Sequence, residues 1–308
     1  MPTVIIAIGA AIVGAIGTVG VYTATTLFVI GASASALVIG AGILALKALM
    51  PSVSYSQPDN DKTRQSTVKS TVEPQKIIYG EALVSGPVTF VGVSGADNQI
   101  MHHVIALAGH EVDSITDIWL DDQAILNSQF GVAGVVTSGT FQNIMYVQKF
   151  VGSPDQTADA ILVATWPDYT TNHRGREIAY IHTQFILTDE SQEVWDKYSP
   201  SNIKAIVRGR KIYDPRLDVT PGANPTNSSY IAYSDNPALA VADYLINTRF
   251  GMKVDASKID WLTVSNSANA CDAVVDVPSG TEKRFTANGV LFATDSHRAS
   301  INKLLSAM

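Results

Sequence analysis

The hydrophobic pattern divides the chain into three stretches of different period. Residues 4–22 and 27–50 are two apolar blocks separated by Thr23-Ala24-Thr25-Thr26. Each approaches or exceeds the ~20 residues that span a bilayer core. Neither has a polar face, so a helix built from either must be buried all round. Small residues recur along both blocks, with Gly9, Gly14 and Gly17 in the first and Gly31 and Gly40 in the second. Ala10/Gly14, Gly31/Ser35 and Ala36/Gly40 are small-xxx-small pairs, which let helix backbones approach closely. The pattern predicts an N-terminal apolar helical hairpin over 1–50, with those five glycines as contacts to lipid or to other copies. A cleavable signal peptide fits badly, because no basic stretch follows Met1 and the apolar block is long and comes twice.

Residues 51–75 are polar, with Pro51, Pro58 and Pro74, and read as a linker or extended arm. From Lys76 short apolar runs alternate with turn residues, the signature of strands. Strands are predicted at 77–80, 86–93, 101–108, 146–151, 160–166, 177–187 and 203–207. A hairpin is predicted over 114–126 about Asp121-Asp122, and an excursion over 127–143. After Pro215 the period lengthens. Asn236-Pro237 opens a helix in the manner of a capping residue followed by Pro at the first helical position. A second helix is predicted over 257–274, a hairpin arm over 285–292, and a last helix, Arg298 to Ala307, capped by Asp295-Ser296. The fold class is therefore α+β, mostly β, in three parts when the hairpin and arm are counted as one. These are the apolar hairpin (1–50) with its linker (51–75), a β-rich domain (76–216, with 127–170 as an inserted lobe) and a mixed α/β domain (217–308). The last helix stops abruptly at Met308, so that domain reads as incomplete and the chain as part of a longer protein.

Composition sharpens this picture. Of 308 residues, 46% are hydrophobic and only 16% charged, but the excess is local, since residues 1–50 hold a single charged side chain, Lys47. The net charge of −7 with no basic run argues against nucleic-acid binding, which needs clustered Lys and Arg on phosphates. One cysteine, Cys271, excludes an intrachain disulfide and any multi-cysteine metal site. It falls in a predicted helix among Ala and Val, as a buried inert thiol does.

The search for chemistry is negative. His102 and His103 are adjacent, so on a strand they point to opposite faces. His110, Glu111 and Asp113 follow Gly109 in a turn. Asp121-Asp122 suits a tight turn by its side-chain bonds to backbone. Asp155, Asp159, Asp168 and Glu177 have no spacing that fixes two carboxylates on one site. Ser94 lacks the Gly-x-Ser-x-Gly frame of a nucleophile elbow, and no phosphate loop, dinucleotide fingerprint or His-Glu-x-x-His motif is present. No catalytic residue, metal ligand or cofactor is expected. Arg208, Arg210, Lys211 and Arg216 carry much of the mid-chain positive charge. They are expected to pair with carboxylates at a domain or subunit boundary, where the Arg fork suits bidentate contacts.

Three stretches in chain order resemble the tail-tip, or central hub, proteins of long-tailed phages, similar to the host-specificity (tip attachment) proteins of lambda-like phages. The first is Tyr79-Gly80 and Ser85-Gly86-Pro87, then His103 to Asp113 running into Ile118-Trp119-Leu120-Asp121-Asp122. The second is Val207-Arg208-Gly209-Arg210-Lys211-Ile212-Tyr213-Asp214-Pro215-Arg216. The third is Tyr233 to Leu245 with Arg249-Phe250-Gly251. The stretch Ala287-Asn288-Gly289-Val290 to Met308 also resembles the family, which continues beyond it. The resemblance implies a non-enzymatic virion structural protein at the distal tail tip, a homotrimer that closes the tail tube and serves host attachment and genome ejection. Its implied partners are the distal tail protein ring, other tail-tip proteins, the tape-measure protein and, through the apolar hairpin, the host outer membrane. A sequence-specific nucleic acid is not among them. Residues 4–50 would then be either a plug packed along a symmetry axis or a membrane-entering device. The alternative from another class is a membrane-anchored bacterial protein, possibly prophage-derived, with a β-rich exposed domain.

Overall fold

The computed structural model describes residues 73–198, 202–220, 222–278 and 280–308. The expected hairpin over 1–50, its five glycines and most of the 51–75 arm lie outside the described residues. The described part is β-rich with a few helices, as the α+β reading expects.

Two four-stranded antiparallel sheets form the larger body. The first runs β3 (Val88–Ser94), β4 (Ile100–Ala108), β8 (Ala179–Ile186) and β7 (Met145–Phe150) in spatial order 3-4-8-7. The second runs β2 (Glu81–Val84), β9 (Ile203–Arg208), β5 (Ser114–Leu120) and β6 (Gln123–Ile125) in order 2-9-5-6. Alternate residues of each point inward. Ile105, Ile181 and Phe185 from the first sheet share one buried cluster with Ile118, Leu120, Ile203 and Val207 from the second, the arrangement of a β-sandwich. Asp121 takes φ 52° at the β5–β6 turn, a conformation that Asp tolerates better than most residues.

A second, smaller cluster is built from both ends of the described chain. Strand β1 (Lys76–Tyr79) pairs with β14 (Gly289–Phe292). Ile77, Tyr79 and Leu291 from this ribbon pack with Ile212 of β10 (Lys211–Tyr213). Three helices close the cluster. Leu239 and Tyr244 come from a helix at Pro237–Ile246, Ala268 and Cys271 from one at Trp261–Asp272, and Leu304 from one at His297–Leu305. Two small ribbons complete this part: β10 with β11 (Ile231–Tyr233), and β12 (Val274–Val277) with β13 (Gly280–Lys283).

The helix at Pro237–Ile246 starts where expected, because the Asn236 side chain accepts from the Ala238 and Leu239 amides. Ser296 likewise caps the last helix through the Ala299 amide at 3.3 Å. One expected strand is a helix instead. Ala160–Thr165, here α1, is helical because Asp159 accepts from the Ile161 and Leu162 amides and starts the turn. Its run of Ile, Leu and Val had favoured a strand. The remaining helices are α2 (Gln192–Trp195), α3 (Pro237–Ile246), α4 (Trp261–Asp272) and α5 (His297–Leu305). None of the described helices is long and apolar enough to cross a membrane.

Candidate functional site

Three of the four basic positions singled out in the sequence, Arg208, Arg210 and Lys211, lie along the seam where the sandwich meets the second cluster. The backbone brings them there. Gly209 N–H donates to the Gly80 carbonyl at 2.7 Å and Arg210 N–H to the Ile78 carbonyl at 2.9 Å, so the end of β9 lies against the β1–β2 corner. Gly80 turns that corner at φ 63°, and a Cβ on Gly209 would fall 2.2 Å from the Ile78 oxygen. Both positions therefore require glycine.

The side chains then lock the seam. Asp243 of α3 is its centre, since its Oδ2 accepts from the Tyr79 hydroxyl at 2.6 Å and from Arg210 Nε at 2.6 Å. Arg210 also lies over the Phe250 ring, 5.2 Å from its centroid. Burial works against the Arg210 charge, but the Asp243 carboxylate more than offsets it and raises the pKa. Burial, helped by Asp243, holds the Tyr79 phenol well above its usual range, so it stays a donor.

His110 is 2% exposed and joins the same seam through Ile78. Its Nε2 faces the Ile78 amide at 2.9 Å and its Nδ1 faces the Glu111 carbonyl at 2.6 Å. An amide only donates, so Nε2 accepts and Nδ1 carries the proton, in a neutral ring. Burial pushes the pKa of His110 down to about 4, with Arg210 and Arg249 adding to the effect.

The other basic residues are paired as well. Lys211 Nζ lies 2.6 Å from Glu111 and Arg208 Nε 3.7 Å from Asp113, with the Arg208 guanidinium stacked 4.0 Å over Tyr233. Arg216 is not on the seam. It binds Asp214 at 2.7 Å and Asp272 at 2.8 Å, tying the segment after β10 to α4. Asp121 accepts from Asn202 Nδ2 at 2.9 Å at its turn. A cavity of about 220 Å³ adjoins the seam, lined by Arg210, Tyr213, Asp243, Asn247 and Trp261. Two of its ionisable groups, Arg210 and Asp243, neutralise each other.

A second polar constellation lies on the outer face of the first sheet, and sequence reasoning missed it. Ser94 Oγ is 2.7 Å from His102 Nε2, His102 Nδ1 is 2.9 Å from His182 Nε2, and His182 Nδ1 is 2.6 Å from Asp159 Oδ2. His102, His182 and Asp159 are each at most 1% exposed. One proton assignment satisfies every link, with Ser94 donating to His102, His102 to His182 and His182 to the Asp159 carboxylate. Burial opposes the charge on Asp159, but the His182 bond and the two α1 amides prevail and lower its pKa. His103 points to the opposite face, as its place on the strand expects, and meets Phe185 edge-on at 5.7 Å. No group of three or more His, Cys, Asp or Glu among the described residues is arranged to hold a metal ion. Cys271 is buried in α4, which raises its thiol pKa.

No family model and no curated protein matches this chain. Among solved structures, a chain described as "Virion of native gene transfer agent (GTA) particle" matches 80% of this chain at 15% identity and a TM-score of 0.42. This chain spans 61% of that one, and a likeness so distant carries no assignment by itself.

Proposed function

We propose that this chain is a structural protein of a phage-like virion, namely a subunit of the tail-tip hub that closes the distal tail tube and serves host attachment and genome delivery. One observation carries the reading. The three stretches that resemble the hub family are separated by up to a hundred residues and more in sequence, yet they meet at one seam. Tyr79, His110, Arg210 and Asp243 come one or two from each stretch and are bonded to one another or to a shared backbone. Their bonds fix two apolar clusters against each other and spend the donors and acceptors on internal partners. Such a seam serves rigidity, which a ring subunit needs, rather than turnover of a substrate.

On this reading the chain is not an enzyme and takes no cofactor. It assembles as a homotrimer, against the distal tail protein ring, other tail-tip proteins and the tape-measure protein. Residues 4–50 plug the hub or enter the host outer membrane, with Gly9, Gly14, Gly17, Gly31 and Gly40 at the helix contacts. The second reading, a membrane-anchored protein with a β-rich exposed domain, rests on the same two apolar blocks. Light scattering on the purified full chain separates them. The hub reading expects a trimer that stays in solution without detergent. A monomer that needs detergent to stay in solution overturns it in favour of the anchored protein.

A further inference from the structure

Residues 152–177 leave the first sheet after β7 and return to it just before β8. The base of this excursion is closed by Glu177 N–H donating to the Gly152 carbonyl at 2.9 Å. Gly152 sits at φ 82°, where a Cβ would come within 2.9 Å of the Ile178 backbone, so the closure depends on glycine. The excursion carries α1 and lays it on the outer face of the sheet. Its apolar footing is small. Leu162 is the one buried residue of α1, and it joins Val104 and Tyr180, with Phe90, Phe150, Trp166 and Tyr169 packed around them. The rest of the attachment is polar. Asp159, at the start of α1, reaches His182 of β8, which reaches His102 of β4, while Trp166 at the end of α1 meets the His102 ring edge-on at 4.8 Å.

The line has a fixed capacity for protons. With one added hydrogen every link still pairs a donor with an acceptor, because Ser94 turns from donor to acceptor at the His102 end of the line. A second proton sets N–H against N–H across 2.9 Å, between two buried cations that share one carboxylate. Among the described residues Asp159 is the anion whose charge bears on His102. Tyr169 and Tyr180 are phenols that burial keeps neutral, and His103, on the other face of β4, adds only repulsion. Arg176 and Arg174 on the returning arm donate to backbone carbonyls of Gln156 and Thr171.

We propose that residues 152–177 are an acid-released flap, whose α1 lifts from the sheet when the His102–His182 pair takes up its second proton. The sandwich beneath stays folded, and the aromatic strip of Phe90, Phe150 and Tyr180 is uncovered. Burial first, and His182 second, push the pKa of His102 down from 6.5 to about 4. In the lifted state His102 meets water and regains the ordinary value. The open fraction therefore rises as pH falls from 6.5 to 4, by up to roughly 300-fold.

Hydrogen exchange of the full chain, read by mass spectrometry at several pH values and corrected for the intrinsic exchange rate, tests this. Peptides within 155–175 are expected to lose protection by one to two orders of magnitude or more between pH 6.5 and 4 and, at each pH, to exchange faster than β5 and β9. His102→Gln, which keeps an amide in the line but cannot take the charge, should flatten that dependence. A pH-independent flap, a flap that opens only in step with β5 and β9, or an unchanged profile in His102→Gln overturns the proposal. Should that variant not fold, the histidine NMR signals of the unmodified chain decide. A His102 ring still neutral at pH 5 supports the flap, and one that titrates near 6.5 overturns it.

Discussion

The sandwich core and the seam are both buried, yet they are held by different physics. In the sandwich Ile105, Ile118, Ile181 and Phe185 have no exposed surface and pack among other apolar side chains. Each such side chain contributes on the order of 1.5–3 kcal/mol by leaving water. The contribution is non-directional, so neighbouring apolar residues of similar volume substitute for one another at modest cost. The seam is directional. Asp243 must face both Tyr79 and Arg210 at hydrogen-bond distance, and either partner left alone is a buried polar group without its acceptor. The sandwich makes the chain compact, whereas the seam decides how its second cluster sits upon it.

The contrast is open to direct attack, and the largest effect is expected at the centre of the seam. Asp243→Ala strands a mostly buried Arg210 and should cost about 3–5 kcal/mol in urea unfolding. Replacing both partners by apolar residues, Asp243→Leu with Arg210→Met, should cost clearly less than the single change. A double variant as damaging as Asp243→Ala would mean that the pair adds net stability and would break the comparison. In the sandwich Phe185→Ala should also cost about 3–5 kcal/mol through the cavity it leaves. Phe185→Leu should recover most of that loss, a tolerance for which the seam has no counterpart.

Acid should separate the regions next. His110 is neutral in the folded seam with its pKa near 4, against 6.5 for an ordinary histidine. Between those values the unfolded chain binds the extra proton and the folded chain does not. Stability is therefore whole above pH 6.5 and falls as pH drops toward 4, by on the order of 3 kcal/mol for this residue. His110→Gln should remove that share of the slope, measured as urea midpoints across the range. A smaller effect is expected at the α3 start, where Asn236→Ala removes the cap and a bond to the Ala268 carbonyl, for about 1–2 kcal/mol. The control is Lys197→Ala, which breaks an exposed ion pair with Glu193 and should leave the urea midpoint unchanged.

Much of this fold is legible in the sequence where a local rule governs it. Short apolar runs between turn residues mark β4, β5 and β9, and Asn236-Pro237 marks α3, because the cap and the first turn are adjacent in the chain. The segment over 160–166 misleads, since a single carboxylate at Asp159 outweighs the β-branched run that follows it. The seam is half legible. Arg208-Gly209-Arg210-Lys211 announces a need for carboxylates, but Glu111 lies a hundred positions from Lys211 and no spacing rule names it. The histidine line is illegible. His102 and His182 meet because β4 and β8 are neighbours in a particular register, and register belongs to the whole sheet rather than to either strand.

The pairing of β1 with β14 has a consequence for the order of events during synthesis. A ribosome adds residues from the N-terminus at about 5–20 per second. Strands β2 to β9 need nothing beyond Arg208 to find their partners. Strand β1 emerges before all of them but cannot be paired until Gly289–Phe292 has left the exit tunnel. For some seconds Ile77 and Tyr79 stand beside a finished sandwich with no cluster to enter. The second body is thus assembled last around the oldest strand, and the pairing of Ile77 with Leu291 marks the moment when the two ends of the described chain have found each other.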